Sequence, residues 1–134
     1  MSREDAIWAS LPVPAFLIDA EDRIADVNSA AEGFLNTSRK GAVGHPVWDV
    51  VAIDAPIEEA FERSRRDGTP LFVNDIDVGS GQRAPLQCGV QVAPVQGRGG
   101  EMLMLVSPRE LAGRLTRTHS AKSAAQSAIG MAEM

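Results

Sequence analysis

The chain has 134 residues, of which 44% are apolar and 23% charged, and its formal net charge is −5. That length suits one domain around a single core, and an acidic chain without a basic block lacks the clustered cations that nucleic-acid binding needs. A single cysteine, Cys88, excludes an internal disulfide, and no apolar run approaches the ~20 residues a membrane-spanning helix requires.

The chain opens with a short predicted helix, Glu4–Leu11, carrying Ile7, Trp8 and Leu11 on one side; Pro12 and Pro14 end it. A β-hairpin follows. Its first strand is Ala15–Ile18, its turn Asp19-Ala20-Glu21-Asp22, and its second strand Arg23–Val27. Asn28 and Ser29 stop the strand and start a helix, for which Ser29-Ala30-Ala31-Glu32 has the spacing of a capping box. Asn36-Thr37-Ser38 breaks that helix and caps the next turn, Arg39–Val43. After Gly44, Pro46–Val51 reads as a further short, mostly buried segment.

The next helix is the best signalled. Asp54 is the expected N-cap, Pro56 lies in the first turn, and Glu58 and Glu59 favour the positive end. Ile57, Ala60, Phe61 and Ser64 fall at i, i+3, i+4 and i+7, which makes one inward stripe. Arg65 and Arg66 fill the last turn, where the cluster Arg63, Arg65 and Arg66 complements the helix dipole, and Gly68 and Pro70 stop the helix.

Three strands complete the body. Leu71–Val78 is the first, and Gly79-Ser80-Gly81-Gln82 turns the chain. In Arg83–Ala93 the apolar Leu86, Cys88, Val90 and Val92 alternate with Gln87, Gly89 and Gln91, so one face is buried. Pro94–Gly100 is a glycine-rich loop. Met102–Val106 is a continuous apolar run, expected as a central strand covered on both faces. Helices segregated to one side of an antiparallel sheet make an α+β fold. Beyond Pro108 the composition shifts to Ala, Ser and Thr. Leu111, Leu115, Thr118, Lys122, Ala125, Ile129 and Ala132 follow a 4-3-4-3-4-3 spacing, a heptad seam weakened by its threonine and lysine.

The stretch Pro14–Leu35, PAFLIDAEDRIADVNSAAEGFL, resembles the opening of a PAS domain in its order of strand, acidic turn, strand, Asn and helix. The resemblance extends over roughly Ser10 to Ser107. It implies a five-stranded antiparallel sheet of order 2-1-5-4-3 with short helices on one face, plus a C-terminal helix. Three regions result: an N-terminal helical segment (1–11), a PAS domain (12–107) and a linker or signalling helix (108–134). The closing AKSAAQSAIGMAEM is similar to the stretch just before the phosphoacceptor box of nitrogen-regulation sensor histidine kinases of the NtrB type. In that family a His-Glu-Ile-Lys-Asn-Pro box and an ATP-binding domain come next. The chain therefore reads as the sensory part of such a kinase.

Residues that invite chemistry have plainer readings. His119, in Thr118-His119-Ser120-Ala121, lacks the adjacent acid and following proline of a phosphoacceptor and reads as a surface helix residue. His45 has no second metal ligand nearby in sequence. Cys88, between Leu86 and Val90, reads as a small core hydrophobe, and Met102 and Met104 as gap fillers. Light-sensing PAS domains place a reactive cysteine in an Asn-Cys-Arg-like helical motif, and haem-binding ones offer a histidine from the long helix. Ile57–Arg63 supplies neither, which disfavours flavin and haem. Asp19, Glu21, Asp22 and Asp26 form an acidic patch of ordinary turn residues, and Asp75 and Asp77 share a strand face. No nucleophile triad, phosphate loop or metal spacing assembles.

The leading expectation is a non-catalytic PAS module that dimerises through Ile7, Trp8 and Leu11 and relays a conformational bias along a helical seam of Leu111, Leu115 and Ile129. By resemblance the whole kinase would use ATP, autophosphorylate, and pass the phosphoryl group to a nitrogen-response regulator, with a PII-type protein tuning the balance. No cofactor and no nucleic-acid partner are expected. The opening MSREDAIWAS lacks the basic-then-apolar layout of a secretory signal, so a cytoplasmic location is expected. The alternative is a ligand-sensing PAS domain whose cavity would be lined by Phe34, Trp48, Phe61, Cys88 and Met104. A small α+β enzyme is the third reading, without residues to support it.

Overall fold

A computed structural model describes residues 2–81 and 83–109. The first helix, α1, is Arg3–Ser10. Ser2 caps it in a reciprocal box: the Asp5 backbone N–H donates to the Ser2 hydroxyl at 3.1 Å, and the Ser2 N–H donates to the Asp5 carboxylate at 3.4 Å. The hairpin strands are β1 (Ala15–Ile18) and β2 (Ile24–Val27). Helices α2 (Ser29–Leu35), α3 (Arg39–Ala42) and α4 (Val47–Val50) follow, then a two-residue strand β3 (Ala52–Ile53) and the long helix α5 (Ile57–Asp67). Strands β4 (Leu71–Ser80), β5 (Arg83–Pro94) and β6 (Met102–Pro108) close the fold.

All strands pair antiparallel in one sheet of order β2-β1-β6-β5-β4-β3. The expected five strands are present in their expected order. The sheet nevertheless has six strands, because Ala52–Ile53 pairs with Val78 and Gly79 at the edge of β4. Two residues carry no readable periodicity, so this strand leaves no mark in the sequence. The expected C-terminal helix, with Leu111, Leu115 and Ile129, and His119 as well, lie outside the described residues.

Helices α2 to α5, with Val51 just after α4, contribute Phe34, Leu35, Ala42, Val47, Val51 and Phe61 to the core, against Phe16, Ile18, Cys88, Val90, Val92, Met102, Met104 and Val106 of the sheet. The period-two reading of β5 holds, with Cys88, Val90 and Val92 buried and Gln87 and Gln91 exposed. Strand β6 departs from expectation. Met102, Met104 and Val106 are fully buried, but Leu103 and Leu105 on the opposite face are only half-buried. Helix α1 packs against α2. That outer face also carries Phe72, 65% exposed.

Two helix starts differ from the sequence reading. The cap of α2 is Asn28, one residue before the expected serine; Glu32 accepts instead from the Arg39 backbone N–H at 2.6 Å. The cap position of α5 is Pro56, without a side-chain bond, while the Asp54 N–H donates to the Asp77 carbonyl. The helix ends agree: Gly68 closes α5 with φ +73, a conformation that costs other residues a steric penalty.

Candidate functional site

Three places in this fold hold polar or exposed groups in arrangements that packing alone does not require. The first is Asn28, 1% exposed, at the junction of β2 and α2. Its side-chain oxygen accepts from the Ala15 N–H at 3.0 Å and the Ala31 N–H at 2.9 Å. Its amide nitrogen donates to the Val13 carbonyl at 2.9 Å and the Leu11 carbonyl at 3.4 Å. One side chain thus caps α2 and ties the connector after α1 to the sheet.

The second place surrounds Arg65. Its side chain is 15% exposed and turned inward. Nε donates to the Gly100 carbonyl at 3.0 Å, and Nη2 donates to the Asp19 carbonyl at 3.2 Å and the Asp22 carboxylate at 2.7 Å. Nη1 pairs with Glu62, and the guanidinium lies 5.2 Å from the Phe61 ring centroid. Burial disfavours the charge, but the hydrogen bond and charge of Asp22, followed by Glu62, outweigh it and raise the pKa above the usual arginine value. The dipole-complementing role expected for this arginine is therefore incomplete. Arg65 joins α5 to the β1–β2 turn and to the β5–β6 loop.

Glycine is required where those two loops meet. A Cβ on Gly100, whose φ is +81, would stand 2.6 Å from the Ala20 Cβ. Gly100→Ala is expected to destabilise the domain by about 2 kcal/mol or more, from backbone strain plus displacement of the turn. Chemical denaturation measures it, and a neutral result would mean that the loops separate freely.

The third place is α1. None of its residues is buried and Ile7 is 57% exposed. Trp8 and Leu11 are half-buried. The Trp8 Nε1–H is shielded from solvent and meets no acceptor among the described residues. An unpaired, desolvated donor of this kind costs ~1–3 kcal/mol.

The five residues expected to line a cavity do come together. Phe34, Phe61, Cys88 and Met104 belong to one core cluster, and Trp48 packs on it. Trp48 meets Phe61 edge-on, with ring centroids 5.2 Å apart and planes at 86°. A surface groove of about 310 Å³ lies between α5 and β4, bordered by Ile57, Ala60, Leu71 and Val73; none of the five lines it.

Three of the four carboxylates of the acidic patch have partners within the fold. Asp19 accepts from the Glu21 and Arg23 N–H groups at 2.9 Å, Asp22 pairs with Arg65, and Asp26 pairs with Arg39. Among the described residues, no three His, Cys, Asp or Glu side chains gather as a metal set. At the end of β6, Arg109 pairs with Gln87 and reaches Asp75, which sits in a β4 bulge with φ 58. Sequence reasoning placed Asn28 at the start of α2 and Arg65 in the last turn of α5 but missed their long-range bonds, and it missed Arg109. For Arg65 a signal existed, since it follows Phe61 by four residues and so shares its stripe.

Comparison with known proteins adds relatives. The chain is 51% identical over 128 residues to the sensory histidine kinase/phosphatase NtrB of Rhodobacter capsulatus, a match covering 96% of this chain and 36% of that protein. It is 24% identical over 130 residues to the protein of the same name from Rhizobium meliloti, covering 96% of this chain and 34% of the other. The chain therefore spans about a third of the length of these curated relatives. The crystal structure of the PAS domain of nitrogen regulation protein NR(II) from Vibrio parahaemolyticus superposes with a TM-score of 0.68 at 21% identity, covering 81% of this chain and 99% of that one. No helix among the described residues is long and apolar enough to cross a membrane. With this sheet, its one-sided helical layer and a match of residues 3–107 to the family model of the PAS fold, the chain belongs to the PAS fold family.

Proposed function

We propose that this chain is the sensory and dimerisation module of a cytoplasmic two-component sensor histidine kinase for nitrogen regulation, and that it relays a conformational bias to a kinase core. The observation that carries this reading is the 51% identity with the Rhodobacter capsulatus kinase along nearly the whole chain. In this reading the module holds no catalytic group and no resident cofactor. ATP binds in the kinase core, which autophosphorylates and passes the phosphoryl group to a nitrogen-response regulator. A PII-type protein tunes the balance between kinase and phosphatase.

Dimerisation is supported by α1. Its exposed Ile7, with half-buried Trp8 and Leu11 beside it, suits a surface that a second copy covers. Leu111, Leu115 and Ile129 would extend the contact along the tail. Native mass spectrometry of the 134-residue chain is expected to give a homodimer without a small-molecule adduct. Ile7→Glu is expected to weaken the dimer at least ~10-fold, since a charge would enter a desolvated apolar contact. A ligand-free monomer at micromolar concentration would refute the α1 contact. A reproducible adduct would replace it with sensing of a small molecule. The relay is tested by fusing the chain to the kinase half of the Rhodobacter capsulatus relative. Ile7→Glu should change autophosphorylation of that fusion, and an unchanged rate would remove the relay.

A further inference from the structure

We infer that Arg65 is a conformational latch, holding α5 to the β1–β2 turn and the β5–β6 loop when closed and freeing the start of β6 when open. The inference rests on the relay reading and names a device within it. Packing of Ile57 and Phe61 on the core is non-directional and tolerates sliding of a helix along a sheet. Hydrogen bonds do not tolerate it. Among the described residues, the side-chain hydrogen bonds from α5 to the turn and to the loop all run through Arg65. Its acceptors, Asp19, Asp22 and Gly100, belong to two segments far apart in sequence, and the tight approach of Gly100 to Ala20 keeps them in reach of one guanidinium. Gly100 stands two residues before β6. That strand pairs with β5 over its whole length and ends at Pro108, where the chain passes to its tail. A shift of α5 that breaks the Gly100 contact therefore acts on the strand leading to the exit.

The chain carries its own reporter at the far end of that strand. Cys88, the sole cysteine, is 1% exposed and lies opposite Pro108 in the β5–β6 ladder. The rate at which a thiol reagent labels Cys88 in the 134-residue chain measures local opening of the core beside the exit end of β6, and denaturant unfolding measures global stability separately. Arg65→Gln and Asp22→Asn are each expected to raise the native labelling rate ~10-fold beyond the factor that the change in global stability supplies. The double variant should add little, because both remove one contact. Arg65→Lys keeps the charge but loses the fork, and it should also raise the rate; it serves if the glutamine variant fails to fold. Labelling that follows global unfolding, or does not change, would overturn the latch. The relay reading would survive that result, because its test is kinase activity. Loss of the relay would likewise leave the labelling result intact.

Discussion

Asn28→Ala is expected to destabilise the domain by about 3–7 kcal/mol, a large share of the 5–15 kcal/mol typical of a folded domain. Two costs combine. Loss of the helix cap costs ~1 kcal/mol. The Ala15 N–H and the Val13 carbonyl then lose their partner in a region where Asn28 itself is 1% exposed, at ~1–3 kcal/mol for each group left unsatisfied. Asn28→Asp separates the terms. A carboxylate still accepts from Ala15 and Ala31 but donates nothing to Val13 or Leu11 and faces their carbonyls as a buried charge, so the loss should be at least as large as alanine's. Denaturant unfolding followed by circular dichroism measures both. A clearly smaller loss for aspartate than for alanine would mean that the accepting half carries most of the contribution. A loss below about 1 kcal/mol for alanine would mean that water replaces the side chain.

Phe61→Ala should cost a similar amount, about 3–5 kcal/mol. The ring is fully buried on the inner face of α5, meets Trp48 edge-on and lies beneath the Arg65 guanidinium. Its removal takes away transfer energy, leaves a void, and loosens two neighbours together. Phe61→Leu keeps most of the volume and should cost less than half as much. Trp48 fluorescence, with Trp8 replaced by Phe in the background, follows the packing directly. If alanine and leucine destabilise equally, the aromatic geometry dominates over the volume.

Much of the fold was legible because its signals are local and repeated. The alternation of Leu86, Cys88, Val90 and Val92 and the stripe of Ile57, Phe61 and Ser64 mark one buried face each. The hairpin strand Ala15–Ile18 and the stop at Gly68 were readable from turn chemistry. What escaped depends on contacts distant in sequence. The α2 cap falls on Asn28 because its amide also reaches Val13 and Leu11, which the neighbouring serine could not do. Arg65 looked like a solvated end-of-helix cation until the turn and the glycine loop supplied acceptors more than thirty residues away. Strand β6 looked doubly covered because an apolar run says nothing about which layers exist to cover it.

The borders of the sheet constrain assembly. On one side the start of β2 is occupied: the Ile24 N–H donates to the His45 carbonyl, the Gly44 N–H donates to the Ile24 carbonyl, and in the preceding turn the Asp22 carbonyl accepts from the Val47 N–H. On the other side β3 occupies Val78 and Gly79, and a bulge at Asp75 breaks the run of β4. Strands blunted in this way are poor templates for adding another chain. The blunted borders therefore close this domain to open-ended growth by strand addition and leave side-chain surfaces as the route by which copies could meet.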